Sequence, residues 1–216
     1  MGTDYFPRLS AIVNDIGQAK KVINQQAEIA ILILAPILTV FLVFINWVVI
    51  LLYSNKFLPV DGMIHWAALG IFFKAVSWPI AYMIIAKGDT KVFFYSEMSV
   101  ILYVLGFNII GYSWKGLEGL GISYLIGYLF YAIQVFTIAY RKYGFSFQST
   151  FLRIFIIQFM IGSVCFIGSR LLEPPYIYLL GSLLILGSSY YSFTELETRL
   201  GLVSMINEKF RRNKRQ

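Results

Sequence analysis

Six apolar runs, each long enough to cross a membrane as a helix, dominate this sequence. They cover residues 29–53, 64–86, 93–113, 120–140, 151–171 and 176–194, and charged or turn-forming residues separate each from the next. Crossing a hydrocarbon layer of ~30 Å takes about 20 apolar residues in helical form. A β-barrel would need short strands of alternating polarity, whereas these runs are apolar all round, so helices must satisfy the backbone hydrogen bonds. Hydrophobic residues make up 58% of the chain and charged residues 13%, with a mean hydropathy of +0.71, which excludes an ordinary soluble domain. The expected fold is an all-α integral membrane protein, with residues 29–194 forming a six-helix transmembrane lobe.

The cations alternate between the two sides of these runs. Fourteen of the Lys and Arg residues, from Arg8, Lys20 and Lys21 to Arg215, fall on one side, and only Lys56, Lys115 and Arg170 on the other. Cytoplasmic loops retain positive charge during insertion, so both termini are expected in the cytoplasm. Tyr53, Trp66, Tyr112, Trp114, Tyr176 and Tyr178 near the outer ends, with Tyr95, Tyr140 and Tyr143 near the inner ones, form the expected interfacial aromatic belts. The net charge of +7 is concentrated on the cytoplasmic side, which points to membrane lipids and away from nucleic acid as partners. Residues 195–216 read as a basic cytoplasmic tail.

Residues 1–28 carry Leu9, Ile12, Val13, Ile16, Ile23 and Ala27 at near-helical spacing, with Asp15, Lys20, Lys21 and Gln25 between them. This pattern predicts a cytoplasmic amphipathic helix lying along the membrane, with Ser10 able to cap it. Cys165 is the only cysteine and lies mid-run, and the single histidine, His65, sits beside Trp66 at a run boundary. Without GxSxG, P-loop, HExxH or clustered acidic motifs, no enzyme activity, metal or cofactor is expected.

Lys74 interrupts the second run, in FFKAVSWPIAYMIIAKGD over 72–89. On a helical wheel it shares a small and polar face with Ala67, Gly70, Ser77 and Ala81, a face suited to packing inward. A charge at a span's centre costs about 3 kcal/mol on translocon scales. Three readings of that cost stand: a substrate-facing cation, a structural lysine paired with a carbonyl or carboxylate, or a lysine snorkelling to a water-filled crevice. Glu97, on the next run, is the obvious partner to test. At 1.5 Å per residue it lies about 6 Å into the third run, while Lys74 lies about 18 Å from the inner end of the second, too far for a direct pair. Glu97 and Asn108 share one face with Val104 and Gly111. Gln134 and Gln158 are best read as interhelical hydrogen-bonding amides, and Pro36 and Pro79 as sites that can kink their helices.

GTDYFPRLS at 2–10, LLYSNKFLP at 51–59, the 72–89 segment and GLEGLGISYLIGY at 116–128 together, by order and spacing, resemble the C-terminal lobe of bacterial polysaccharide or O-antigen flippases. That family belongs to the multidrug, oligosaccharidyl-lipid and polysaccharide exporter superfamily. The resemblance extends from Gly2 to about Arg199. It implies one lobe of a two-lobe, MATE-like flippase in the bacterial inner membrane, moving an undecaprenyl-diphosphate-linked oligosaccharide between leaflets. Lys74 then becomes a cation for the diphosphate, with Ser77, Glu97 and Asn108 as further substrate-binding candidates. It also implies a missing N-terminal lobe, or a second copy, as the partner surface. The alternative from another class is a non-transporting scaffold of a glycan-assembly complex.

Overall fold

The computed structural model describes residues 2–52 and 59–200. Tyr53, Lys56 and most of the cations assigned to the basic tail lie outside the described residues. The described residues form six helices and no strand: α1 (Gly2–Ile12), α2 (Ile16–Leu52), α3 (Asp61–Ala86), α4 (Thr90–Tyr143), α5 (Ser149–Leu171) and α6 (Tyr176–Leu200). Five of them, α2 to α6, are long and apolar enough to cross a membrane.

Six apolar runs on five helices are reconciled by α4. Its 54 residues would extend about 80 Å if straight, far beyond a ~30 Å hydrocarbon layer. The helix breaks at Lys115 and Gly116, where Gly116 takes φ 58° and ψ −131°, a conformation open essentially to glycine alone. Residues 90–114 and 117–143 therefore fold back on each other as two arms. Cross-arm partners close symmetrically on the break: Gln134 Nε2 donates to Ser96 and Ser99, Tyr131 Oη to Glu97, and Ser123 Oγ to the Phe107 carbonyl. Nearest the turn, Gly111 lies directly against Gly119, and a Cβ on either would collide with the opposite backbone. The third and fourth runs are the two arms of this hairpin.

The amphipathic N-terminal stretch is not a single helix lying apart from the bundle. It forms α1, a turn, and the first part of α2, which continues without interruption into the first apolar run. Its apolar face is buried by protein: Leu9, Ile23 and Ala27 are fully buried and Val13 nearly so. Helical periodicity shows that a face needs covering but not whether lipid or protein covers it. Tyr5 anchors α1 across α3, its hydroxyl donating to the Pro79 carbonyl at 2.9 Å and its ring meeting Tyr82 edge-on. Ser10 lies inside α1 and caps nothing. Asp15 performs that role for α2, accepting from the backbone N–H of Gln18 at 3.1 Å, a bond that holds its carboxyl below the usual carboxylate range.

Polar side chains buried between helices set their register. Asn24, fully buried on α2, donates to the Ser146 carbonyl and accepts from the Gln148 N–H, pinning the α4–α5 loop. Gln158 on α5 donates to Ser192 Oγ at 2.8 Å and accepts from Ser188 Oγ at 2.7 Å on α6. Gln134 and Gln158 are thus the interhelical amides that the sequence suggested. Large apolar residues such as Ile109, Ile110, Ile156, Leu183 and Leu186 point outward, as a hydrocarbon surrounding requires, and Tyr95, Tyr112, Trp114, Tyr140 and Tyr176 are exposed near helix ends. Residues 195–200 continue α6 as helix instead of beginning a separate tail.

Candidate functional site

Lys74 lies where α3 packs on the second arm of α4. The small face predicted for α3 makes that contact close. Gly70 sits against Tyr124 and the Leu125 backbone, so near that an added Cβ would overlap the Tyr124 ring. One helical turn further along, the seam opens enough for the Lys74 side chain, which is half-buried.

Three aromatic rings surround its ammonium. Lys74 Nζ is 5.1 Å from the Tyr128 ring centroid, 5.6 Å from that of Trp78 and 6.0 Å from that of Tyr124. Tyr124 and Tyr128, one turn apart on α4, have ring centroids 4.6 Å from each other. Trp78 stands one turn from Lys74 on α3 and is 56% exposed, so this side of the cage is open. Each cation–π contact is worth ~0.5–1 kcal/mol when exposed and ~2 kcal/mol when desolvated. Together they offset a burial cost of about 3 kcal/mol without any carboxylate. Among the described residues no acidic side chain pairs with Lys74.

The other candidates divide around it. Glu97 is half-buried and accepts the Tyr131 hydroxyl at 2.9 Å, so it does not reach Lys74. It is joined to the cage indirectly: Glu97, Tyr131, Tyr82 and Trp78 line one open cavity of about 260 Å³, and Trp78 faces Lys74 as well. Ser77 is fully buried and donates to the Lys74 carbonyl at 2.9 Å, a bond within its own helix, and it lines neither cavity beside Trp78. Asn108 is half-buried on the first arm of α4, makes no hydrogen bond among the described residues, and lines neither cavity beside Trp78. Lys74 and Glu97 are thus linked through Trp78, and neither the Ser77 hydroxyl nor Asn108 takes part in that link.

Sequence reasoning missed the rings. Trp78 lay four residues from Lys74 and was legible as a same-face neighbour, whereas Tyr124 and Tyr128 come from a helix some fifty residues later. Several other charges form clasps at the two ends of the bundle. At one, Glu118 Oε1 accepts from Arg170 at 2.7 Å and Trp66 Nε1 at 3.0 Å, while His65 is buried with Nδ1 2.9 Å from the Asp61 carbonyl. At the other, Asp89 accepts from Tyr143 at 2.5 Å and pairs with Lys142 at 3.1 Å. These two partners, the Tyr143 hydrogen bond foremost, hold the Asp89 carboxyl below its usual range. No group of three or more His, Cys, Asp or Glu side chains suited to a metal occurs among the described residues.

No known protein family, curated protein or solved structure matches the chain. The functional reading therefore stands on the residues themselves.

Proposed function

We propose that this chain acts as one lobe of a membrane transporter that carries a lipid-linked oligosaccharide diphosphate, of the undecaprenyl-diphosphate-linked O-antigen kind, across the bacterial inner membrane with both termini cytoplasmic. The observation that supports this reading is Lys74. A cation deep in a span is retained at a cost, and here aromatic rings stabilise it without cancelling its charge. Rings carry no net charge, so the ammonium still attracts an anion, and a diphosphate is the strongest anionic group on such a substrate. Aromatic surface beside a carboxylate, as at Trp78 and Glu97, also suits the apolar faces and hydroxyls of a sugar.

In this reading Lys74 meets the diphosphate and Glu97 the proximal sugar. Ser77 serves the helix and not the ligand, and Asn108 has no assigned contact. The lobe works against a facing surface, supplied by a second lobe or a second copy. The test is surface glycan export in cells carrying Lys74→Ala in the transporter, with membrane abundance measured in parallel. Export should fall sharply at unchanged abundance. Normal surface glycan would contradict the reading and favour a scaffold role.

A further inference from the structure

A second polar site lies away from Lys74, where α1 crosses α2 near the end of α6. It is a cavity of about 470 Å³ whose lining holds both signs of charge, Arg8 and Arg199 with Asp4 and Glu28. Glu28 is only 2% exposed. One of its oxygens, Oε2, accepts from Arg199, while Oε1 is buried and has no partner. Arg199 is also shared with Glu195, and its Nε is likewise buried and unpartnered. Asp4 and Arg8 are exposed at the rim and form no ion pair among the described residues. The cavity thus presents two buried groups without partners, the Glu28 Oε1 acceptor and the Arg199 Nε donor, with the exposed Arg8 at its rim; leaving the buried groups unsatisfied is unfavourable.

An apolar cavity continues from it. This second space, about 300 Å³, shares Tyr5 and Gln26 with the first and is lined further in by Ala30, Ile33, Leu34 and Ala75. From Gln26 to Leu34 the α2 axis advances about 12 Å. A polar chamber at the bundle's end leads into an apolar one toward its middle, the profile of an amphiphile standing upright in a leaflet.

We propose that this groove binds a zwitterionic phospholipid with a primary ammonium headgroup. The ammonium donates to Glu28 Oε1, the phosphate lies beside Arg8 and Arg199 Nε, and an acyl chain follows Ala30, Ile33 and Leu34. The mixed charge selects the class. A glycerol headgroup has hydroxyl donors but no positive charge to set against Asp4 and Glu28. A choline headgroup has the charge but no N–H for Oε1.

The experiment is native mass spectrometry of the full chain released from nanodiscs of equimolar phosphatidylethanolamine, phosphatidylglycerol and phosphatidylcholine. One phosphatidylethanolamine should remain bound at about tenfold excess over either competitor, a discrimination worth ~1.4 kcal/mol. Glu28→Gln should bring that ratio toward unity. Because this change also weakens the hold on Arg199, Arg8→Ala provides a second arm: Arg8 makes no hydrogen bond or ion pair among the described residues, and its loss should lower retention of all three lipids several-fold at an unchanged unfolding midpoint. Soluble glycerophosphoethanolamine should fail to displace the lipid, and efficient displacement would show that the headgroup alone is bound, against the phospholipid assignment. Equal retention of the three lipids, or retention unaffected by both substitutions, would overturn the proposal.

Discussion

Lys74 and Arg199 are both cations embedded among helices, and the bundle treats them in opposite ways. Arg199 is held by carboxylates, Glu28 and Glu195, one of them almost wholly buried. Lys74 is surrounded by Trp78, Tyr124 and Tyr128, the two tyrosines interacting through their hydroxyls as well as their rings, with no carboxylate. A counter-ion cancels charge and locks geometry, and its removal strands the partner. An aromatic cage lowers the cost of the charge while leaving it to act on something else. The difference separates a joint that fastens α6 to α2 from a cation left without a counter-ion among the described residues.

Stability measurements should break this comparison if it is wrong. Arg199→Ala leaves Glu28 buried without its partner and should destabilise by ~3–5 kcal/mol, read as a lowered unfolding midpoint in detergent or nanodiscs. Lys74→Met should change stability by less than ~1 kcal/mol, because the lost cation–π attraction is offset by the charge no longer buried. Similar losses for both would place Lys74 among the structural ion-pair residues.

A finer comparison runs within the cage. Trp78→Ala removes one of the three rings and should cost about 1 kcal/mol in stability, whereas Tyr128→Phe keeps its ring and should cost only a few tenths. Equal losses would mean that the tyrosine hydroxyl, and not the ring face, holds the ammonium.

How much of this was legible beforehand follows from the reach of each signal. Run length marks helices that can cross a membrane, and lone amides within runs mark interhelical hydrogen bonds, as Gln134 and Gln158 show. Both signals are local. Lys74 was visible as an anomaly, but two of its three rings arrive from the returning arm of α4, and one sequence carries no measure of that proximity. The Glu28–Arg199 pair was hidden for the same reason, since its partners lie on α2 and α6. The amphipathic segment was recognised as helical but assigned to the membrane surface, because Leu9 and Ile23 look the same from the sequence whether lipid or α-helix covers them.

The smallest effect belongs to the exposed clasp between the α3–α4 loop and the end of α4. Asp89 has a depressed pKa in the folded protein through Tyr143 and Lys142, so its contribution is fully present above the ordinary carboxylate value of ~3.9 and is lost as pH falls through the lower folded value. Hydrogen exchange at Lys87 to Thr90 should therefore accelerate only under strong acidification in the wild type. Asp89→Asn should show the faster exchange already at neutral pH. A wild-type transition near neutrality would assign the clasp to another group.

The central claim is that Lys74 is an uncompensated cation available to a diphosphate. Its most direct measurement is binding of a polyprenyl diphosphate to the purified chain in nanodiscs, with wild type, Lys74→Arg and Lys74→Met compared at matched folding. The account predicts that Lys74→Met weakens binding by about tenfold or more, the scale of one charge-assisted contact, while Lys74→Arg retains most of it and the unfolding midpoints stay together. Wild-type affinity in Lys74→Met would contradict it.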